Sequence, residues 1–337
     1  MSFIFLLLHS ILFVLIINFF LKHFNILIDK KNYPHKIFAS KKKNVFLSGG
    51  ILIFSFILIF SVDKIFIFYV SLIFVIGIFS DNFFLKNPLI RLLLQAIVVS
   101  FSVYFLNLEI PSTKISFIDY LLNYKLFSLF FTTFCLLILM NGTNFIDGLN
   151  TLVVGYFSCI IIVLVYLYFK ISINLDFTFL INFFLVLMVV FFFNFFSIIY
   201  LGDTGALILS YVMGVYLINF SANNINISPL FIALLLWYPA FENLFSIIRK
   251  ILIKKKPFNP DNFHLHQLVY NFIKIRTKID NFLINSISAN IINFYNLIFF
   301  ILGINFIYSN KYLIYLIIIK SVFYTFLYWF LMKKKQA

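Results

Sequence analysis

Two short stretches, Asn141-Gly142-Thr143-Asn144-Phe145-Ile146-Asp147-Gly148-Leu149-Asn150 and Leu201-Gly202-Asp203-Thr204-Gly205, set carboxylates beside apolar runs of membrane length. A carboxylate in hydrocarbon costs roughly 2.5–3.5 kcal/mol even on lenient insertion scales, so Asp147 and Asp203 need a partner, a cavity or a metal. Hard cations take oxygen ligands, and magnesium keeps several waters, so one or two carboxylates suffice to hold it. Gly202 and Gly205 leave the backbone open to the close approach of a phosphate. A third stretch, 257–267, carries Asp261, His264 and His266, and imidazoles contact anions either as neutral donors or as imidazolium. Each stretch also has a purely structural reading. A Gly-Asp-x-Gly sequence makes a turn with the acid near a helix N-cap, asparagines such as Asn141 and Asn150 are ordinary caps, and a histidine pair in a basic loop is often simply solvated.

The elements that must position these residues are membrane helices. Hydrophobic residues make up 63% of the 337-residue chain and charged residues only 11%, with a mean hydropathy of +1.07. Soluble domains carry about 25% charged residues. The pattern predicts an all-α polytopic membrane protein. It has about eleven spans, near 3–21, 45–62, 65–80, 88–107, 126–143, 151–169, 178–197, 204–220, 228–248, 291–309 and 312–332. The chain reads as one transmembrane domain over 1–337, with a basic loop at 249–290 that carries the histidines. No charged n-region precedes the first span, which argues against a secretory signal. Cys135 and Cys159 sit in apolar runs without metal-like spacing, so they read as small hydrophobes, and zinc is disfavoured.

Most of the 26 basic residues fall in 22–43, in 249–278, at Lys86 and Arg91, and in the tail Lys333-Lys334-Lys335. The positive-inside rule puts all of these in the cytoplasm, with the N-terminus out and the C-terminus in. The net charge of +15 is then topology plus attraction to anionic lipid heads, with Arg249, Lys250 and Lys254 to Lys256 as lipid anchors first and attractors of substrate second. Nucleic acid is not an expected partner. Under this topology Asp81, the 141–150 stretch, Asp203 and the 257–267 stretch all fall in cytoplasmic loops, so four polar segments converge on one membrane face.

Four motifs together resemble the polyprenyl-phosphate N-acetylhexosamine-1-phosphate transferases, over most of the chain from about Asp29 to Gln267. They are Gly77-Ile78-Phe79-Ser80-Asp81-Asn82 followed by Pro88 and Arg91; the Asn141 to Asn150 stretch; Gly202-Asp203-Thr204-Gly205; and Pro257 through Asp261, His264, His266 and Gln267. The resemblance implies an enzyme of the bacterial inner membrane with its site facing the cytoplasm. It would move a sugar 1-phosphate from a UDP-N-acetylhexosamine to undecaprenyl or another polyprenyl phosphate, starting a cell-surface glycan. The single His264-x-His266 pattern is similar to the branch serving surface polysaccharides such as O-antigen and lipopolysaccharide, or teichoic acid. Mg2+, with Mn2+ as a substitute, would sit on Asp203. Asp81 would act where the lipid phosphate arrives, Asp147 at the nucleotide or metal shell, and His264 and His266 on the diphosphate. Arg91, Asn141, Asn144, Asn150 and Asp261 would bind substrate. A homodimer is compatible with the family.

The chain departs from the family pattern in several places. One acid stands where a pair of aspartates is usual, with either Ser80 or Asn82 replacing the other. Asn150, Ala206, Glu242, Asn262 and Gln267 also differ from the common residues. A catalytically inactive homologue and a polytopic transporter are the alternatives. A transporter would place its acids near the bilayer midplane rather than at cytoplasmic helix ends.

Overall fold

In hydrocarbon, every backbone N–H and C=O must be satisfied within its own segment, and for apolar runs of this length the helix is the solution. The computed structural model of the chain is accordingly all-helical and describes residues 3–29, 45–85, 87–171, 173–254 and 261–336. The basic residues between 30 and 43, together with Lys86, Lys255, Lys256 and residues 257–260, lie outside the described residues.

The helices in chain order are α1 (Phe3–Phe24), α2 (Gly49–Phe60), α3 (Lys64–Asp81), α4 (Pro88–Phe105), α5 (Ser116–Leu122), α6 (Lys125–Ile146) and α7 (Leu152–Ile171). They continue with α8 (Phe177–Phe195), α9 (Gly202–Asn223), α10 (Pro229–Leu235), α11 (Trp237–Leu252), α12 (Leu265–Arg276), α13 (Asn281–Ile304) and α14 (Asn310–Gln336). Among the described residues, nine helices are long and apolar enough to cross a membrane, or ten if the bent pair α10 and α11 is one span. The most enclosed is α9, which packs against α2, α3 and α6. At the periphery, α1 and α14 turn rows of large apolar side chains outward, as lipid-facing helices do.

Three expected spans take a different form. The 45–62 segment is helical only over the 12 residues of α2. Its first residues are extended, with Phe46 bridging antiparallel to Ile28 and parallel to Ile199. The expected span at 291–309 begins at Asn281 instead. Its early turns carry Asn285, Ser286, Ser288 and Asn293, which lowers their hydropathy, but all four are buried against neighbouring helices and none faces lipid. The basic 249–290 segment is likewise not all loop, since α12 folds within it.

The expected 228–248 span is broken, with α10 and α11 meeting at 69° around Leu236. Proline explains the break: Pro239 has no N–H for the carbonyl four residues back, and its ring clashes there. That carbonyl belongs to Leu235, and the buried Tyr156 hydroxyl of α7 donates to it at 2.5 Å. The bend carries the polar face of α11, with Glu242, Asn243, Ser246 and Lys250, towards the end of the bundle where the motifs gather. Replacing Tyr156 by Phe leaves the Leu235 carbonyl buried without this donor, at a cost of about 1–3 kcal/mol. Thermal unfolding in detergent should show the lower midpoint.

Candidate active site

The starts of α4, α7, α9, α12 and α13 and the ends of α3, α6, α8 and α11 share one end of the bundle. There they surround a cavity of about 900 Å³. The α9 corner is built first by Asp81, the last residue of α3. A helix start leaves backbone N–H groups without partners, and here a carboxylate from another helix takes them. Asp81 Oδ1 accepts from Asp203 N at 2.9 Å, while Oδ2 accepts from Thr204 N at 3.1 Å and Thr204 Oγ1 at 2.5 Å. Gly202 makes the approach possible. Its φ of +73° is a conformation that L-residues avoid, and a Cβ there would lie 2.8 Å from Asp81 Oδ2.

With α9 held in this way, the Asp203 side chain turns into the cavity. Its Oδ2 accepts from Ser80 Oγ at 2.5 Å and from Arg91 Nη1 at 2.6 Å, and Arg91 Nη1 also reaches Ser80 Oγ at 2.9 Å. Asn144 closes the group: with its amide oriented to satisfy both neighbours, its nitrogen donates to Asp203 Oδ1 at 3.0 Å and its oxygen accepts from Arg91 Nη2 at 3.1 Å. Ser80 therefore faces Asp203, whereas Asn82 only ends α3.

The 141–150 stretch divides its work. Asn141, Asn144, Asp147 and Asn150 all line the cavity. Asn150 is also bound into a framework: its N–H donates to Asn285 Oδ1 at 2.6 Å and its Nδ2 donates to Ser197 Oγ at 2.7 Å. Beside it, Thr151 N donates to Asn194 Oδ1, and Asn293 Nδ2 donates to the Thr151 carbonyl at 3.2 Å. The turn that leaves α6 is thus tied to α8 and α13.

The histidine stretch folds over the opposite wall. His264 Nδ1 meets Glu242 Oε1 at 3.0 Å, and Asp261 pairs with Arg249 at 2.9 Å. Burial alone would raise the Asp261 carboxyl, but the Arg249 hydrogen bond and the surrounding positive charges hold it below the ordinary carboxylate value. His266 is fully buried, and among the described residues neither ring nitrogen has a hydrogen-bond partner. Burial, then the neighbouring His264, pushes its pKa down to about 3, so near pH 7 it is a neutral imidazole. Gly148 makes room for it, since a Cβ there would stand 2.4 Å from His266 Nε2. Lys250, expected first as a lipid anchor and second to attract substrate, is buried in the cavity wall with Nζ 5.9 Å from the Phe145 ring centre. Arg249 is likewise turned inward, held by Asp261.

All ten residues singled out from the sequence come together here: Asp81, Arg91, Asn141, Asn144, Asp147, Asn150, Asp203, Asp261, His264 and His266 line the one cavity. Asp29, Asn194, Asn243 and Asn285 also line the cavity without having been expected there, and Glu242, noted in the sequence only as a departure, lies behind His264. A polar residue inside an apolar helix is the signal that points to Asn194, Asn243 and Asn285. Among the described residues no group of three or more His, Cys, Asp or Glu is arranged to hold a metal. Asp203, facing the cavity, offers a single carboxylate. That donor set suits a divalent cation that takes its other ligands from water and phosphate, and does not suit a zinc cage.

Residues 64–221 match glycosyl transferase family 4. The undecaprenyl-phosphate alpha-N-acetylglucosaminyl 1-phosphate transferase of Thermotoga maritima is 27% identical over 222 residues, a stretch that is 65% of this chain and 66% of that relative. The chain thus spans just under two thirds of the length of the curated relative it matches. Both similarities agree with the resemblance that the four motifs carry.

Two measurements follow from this geometry. Gly202→Ala combines a strained φ with a clash against Asp81 and should destabilise the fold by about 1–3 kcal/mol, seen as a lower melting midpoint. His266 is neutral in the folded state down to about pH 3, while its unfolded form protonates near pH 6.5. Its linkage therefore removes stability as the pH falls from 6.5 towards 3, by up to about 1.4 kcal/mol per unit. The melting midpoint of His266→Gln should fall less steeply over that window.

Proposed function

We propose that this protein transfers an N-acetylhexosamine 1-phosphate from a UDP-sugar to undecaprenyl phosphate, or a similar polyprenyl phosphate, and releases UMP. The observation that carries the reading is the convergence of four motifs, distant in sequence, on one cavity with a lining part polar and part apolar. The polar part of the lining holds Arg91, Asp203, Lys250, His264 and His266, which suit a diphosphate. The apolar part is formed by Leu92, Leu93 and Ala96 of α4, Phe134, Leu137 and Ile138 of α6, and Ile247 of α11. Leu93 and Phe134 are 63% and 47% exposed, on surfaces that would meet lipid. A prenyl chain entering sideways between α4 and α6 would find this apolar lining, and a nucleotide sugar would enter from the cytoplasm.

In the reaction, an oxygen of the lipid phosphate forms a bond to the sugar-bearing phosphorus as the bond to the UMP oxygen breaks, in line. Both partners are anions, so positioning and charge neutralisation supply most of the catalysis. Arg91 and Lys250 would offset the phosphate charge, and the neutral His266 would hydrogen-bond an oxygen or hydroxyl without adding charge. Asp81 would act on the lipid phosphate through the α9 start that it holds. Asp203 would hold Mg2+, which when bound polarises the diphosphate and stabilises the departing UMP. The UDP-N-acetylglucosamine donor implied by the name of the Thermotoga maritima relative is the first to try. A surface glycan such as O-antigen is the proposed destination, and the inner membrane, with the site inward, the proposed location.

The test is release of radiolabelled UMP from a panel of UDP-N-acetylhexosamines by purified protein with undecaprenyl phosphate and Mg2+. Turnover should vanish with EDTA and fall at least ~100-fold in Asp203→Ala while the protein stays folded. No turnover across the panel from folded, monodisperse protein would sink the transferase reading in favour of an inactive homologue.

A further inference from the structure

Glu242 is 1% exposed on α11, where an acid persists only with partners. It has three. Oε1 accepts from His264 Nδ1 at 3.0 Å and from Leu265 N at 3.4 Å, and Oε2 accepts from Tyr324 Oη of α14 at 2.6 Å. A carboxylate accepts only, so the hydrogen of the His264 contact sits on Nδ1. The other ring nitrogen, Nε2, is left on the cavity side, 3.6 Å from Asp261 Oδ1. Phe145 and His266 flank the same ring at centroid distances of 5.8 and 5.6 Å. The stacked His266 ring and the tilted Phe145 ring restrain its plane, and the Glu242 contact fixes its rotation within that plane.

Tyr324 is in turn held by a ladder between two helices. On α14, Lys320, Tyr324 and Tyr328 recur every four residues, as do Trp237, Phe241, Phe245 and Arg249 on α11. The Tyr324 ring stands edge-on to Trp237, Phe241 and Phe245 at 5.8, 5.0 and 5.3 Å. One rung below, Lys320 Nζ lies 4.9 Å from the Trp237 ring centre. One rung above, Tyr328 meets Phe245 at 4.8 Å and Arg249 at 6.0 Å. These contacts hold the Tyr324 hydroxyl at the level of Glu242. The ladder joins α14, which lies beyond the family-matched residues 64–221, to the wall of the site.

We propose that Glu242 and Tyr324 are positioning residues for His264. Tyr324 orients the carboxylate, the carboxylate holds Nδ1–H inward, and Nε2 alone is presented to the bound nucleotide sugar. The substrate half of this statement rests on the transferase reading; the ring geometry does not.

Two readouts test it on the full-length protein in nanodiscs. The first is 15N NMR of histidine-labelled protein, with His264 assigned by His264→Gln. The expected spectrum has His264 protonated on Nδ1, and that signal shifts in Tyr324→Phe, which removes one oxygen and keeps the ring packing. A neutral ring carrying its proton on Nε2 would overturn the proposal, whether or not the protein is a transferase. The second readout is UMP release. Glu242→Gln should lower kcat about 10–100-fold and Tyr324→Phe about 3–10-fold, with KM for the UDP-sugar changing less than about threefold. Glu242→Asp should recover part of the loss. In the His264→Gln background, Tyr324→Phe should have no further effect, and additive losses there would overturn the assignment. If Glu242→Gln does not fold, the Tyr324→Phe pair carries the test alone. A wild type that releases no UMP from any donor counts against the transferase reading, and the NMR result then decides the ring geometry.

Discussion

The carboxylate of Asp81 on the first N–H groups of α9 is the contact on which the site depends. It joins the end of α3 to the start of the most enclosed helix in the bundle, and it does so through backbone, so the register of the two helices is set at that point. Asp203 then has one direction to face, and Ser80, Arg91 and Asn144 gather around it. The acid that holds the start of α9 and the acid around which Ser80, Arg91 and Asn144 gather are thus different residues, 122 positions apart and joined by one hydrogen bond.

The two walls of the cavity are built on different principles. Around Asp203 the Arg91 guanidinium neutralises the carboxylate while the Ser80 hydroxyl and the Asn144 amide donate to it, which lowers the cost of keeping a carboxylate beside hydrocarbon. Around His264 and His266 the members are buried and held by stacking, with acids supplied from behind by Glu242 and from the side by Asp261. Phe145 touches both of these settings: it follows Asn144 in sequence and lies against His264 and Lys250. The turn after α6 is therefore shared by both walls, and the ties from Asn150 and Thr151 to α8 and α13 keep it in place.

Much of this was legible in the sequence. Hydropathy located the long helices, because composition alone decides whether a segment can face lipid. Charge placement put the four polar motifs on one side, and all ten candidate residues do meet. What escaped was whatever depends on the partner a residue finds in three dimensions. Asp81 looks the same in sequence whether it awaits a phosphate or caps α9. Lys250 reads first as a lipid anchor until α11 is seen to turn it inward. The polar start of α13 reads as loop because its asparagines are buried against helices that hydropathy does not see. The span expected at 228–248 passed over Pro239, and the break it makes between α10 and α11 is satisfied by the Tyr156 hydroxyl, a partner that lies 79 residues earlier in sequence.

The shortness of α2 bears on how the chain is assembled. Twelve residues rise about 18 Å, well short of a hydrocarbon core of about 30 Å. The partners of α2 are chiefly α8 and α9, and Gly49 and Gly50 at its start donate to the carbonyls of Tyr200 and Leu201 just before α9. None of these partners exists when α2 leaves the ribosome. α2 therefore gains most of its packing only from helices that begin more than a hundred residues further along the chain, and the amino-terminal end of the bundle is completed by its middle.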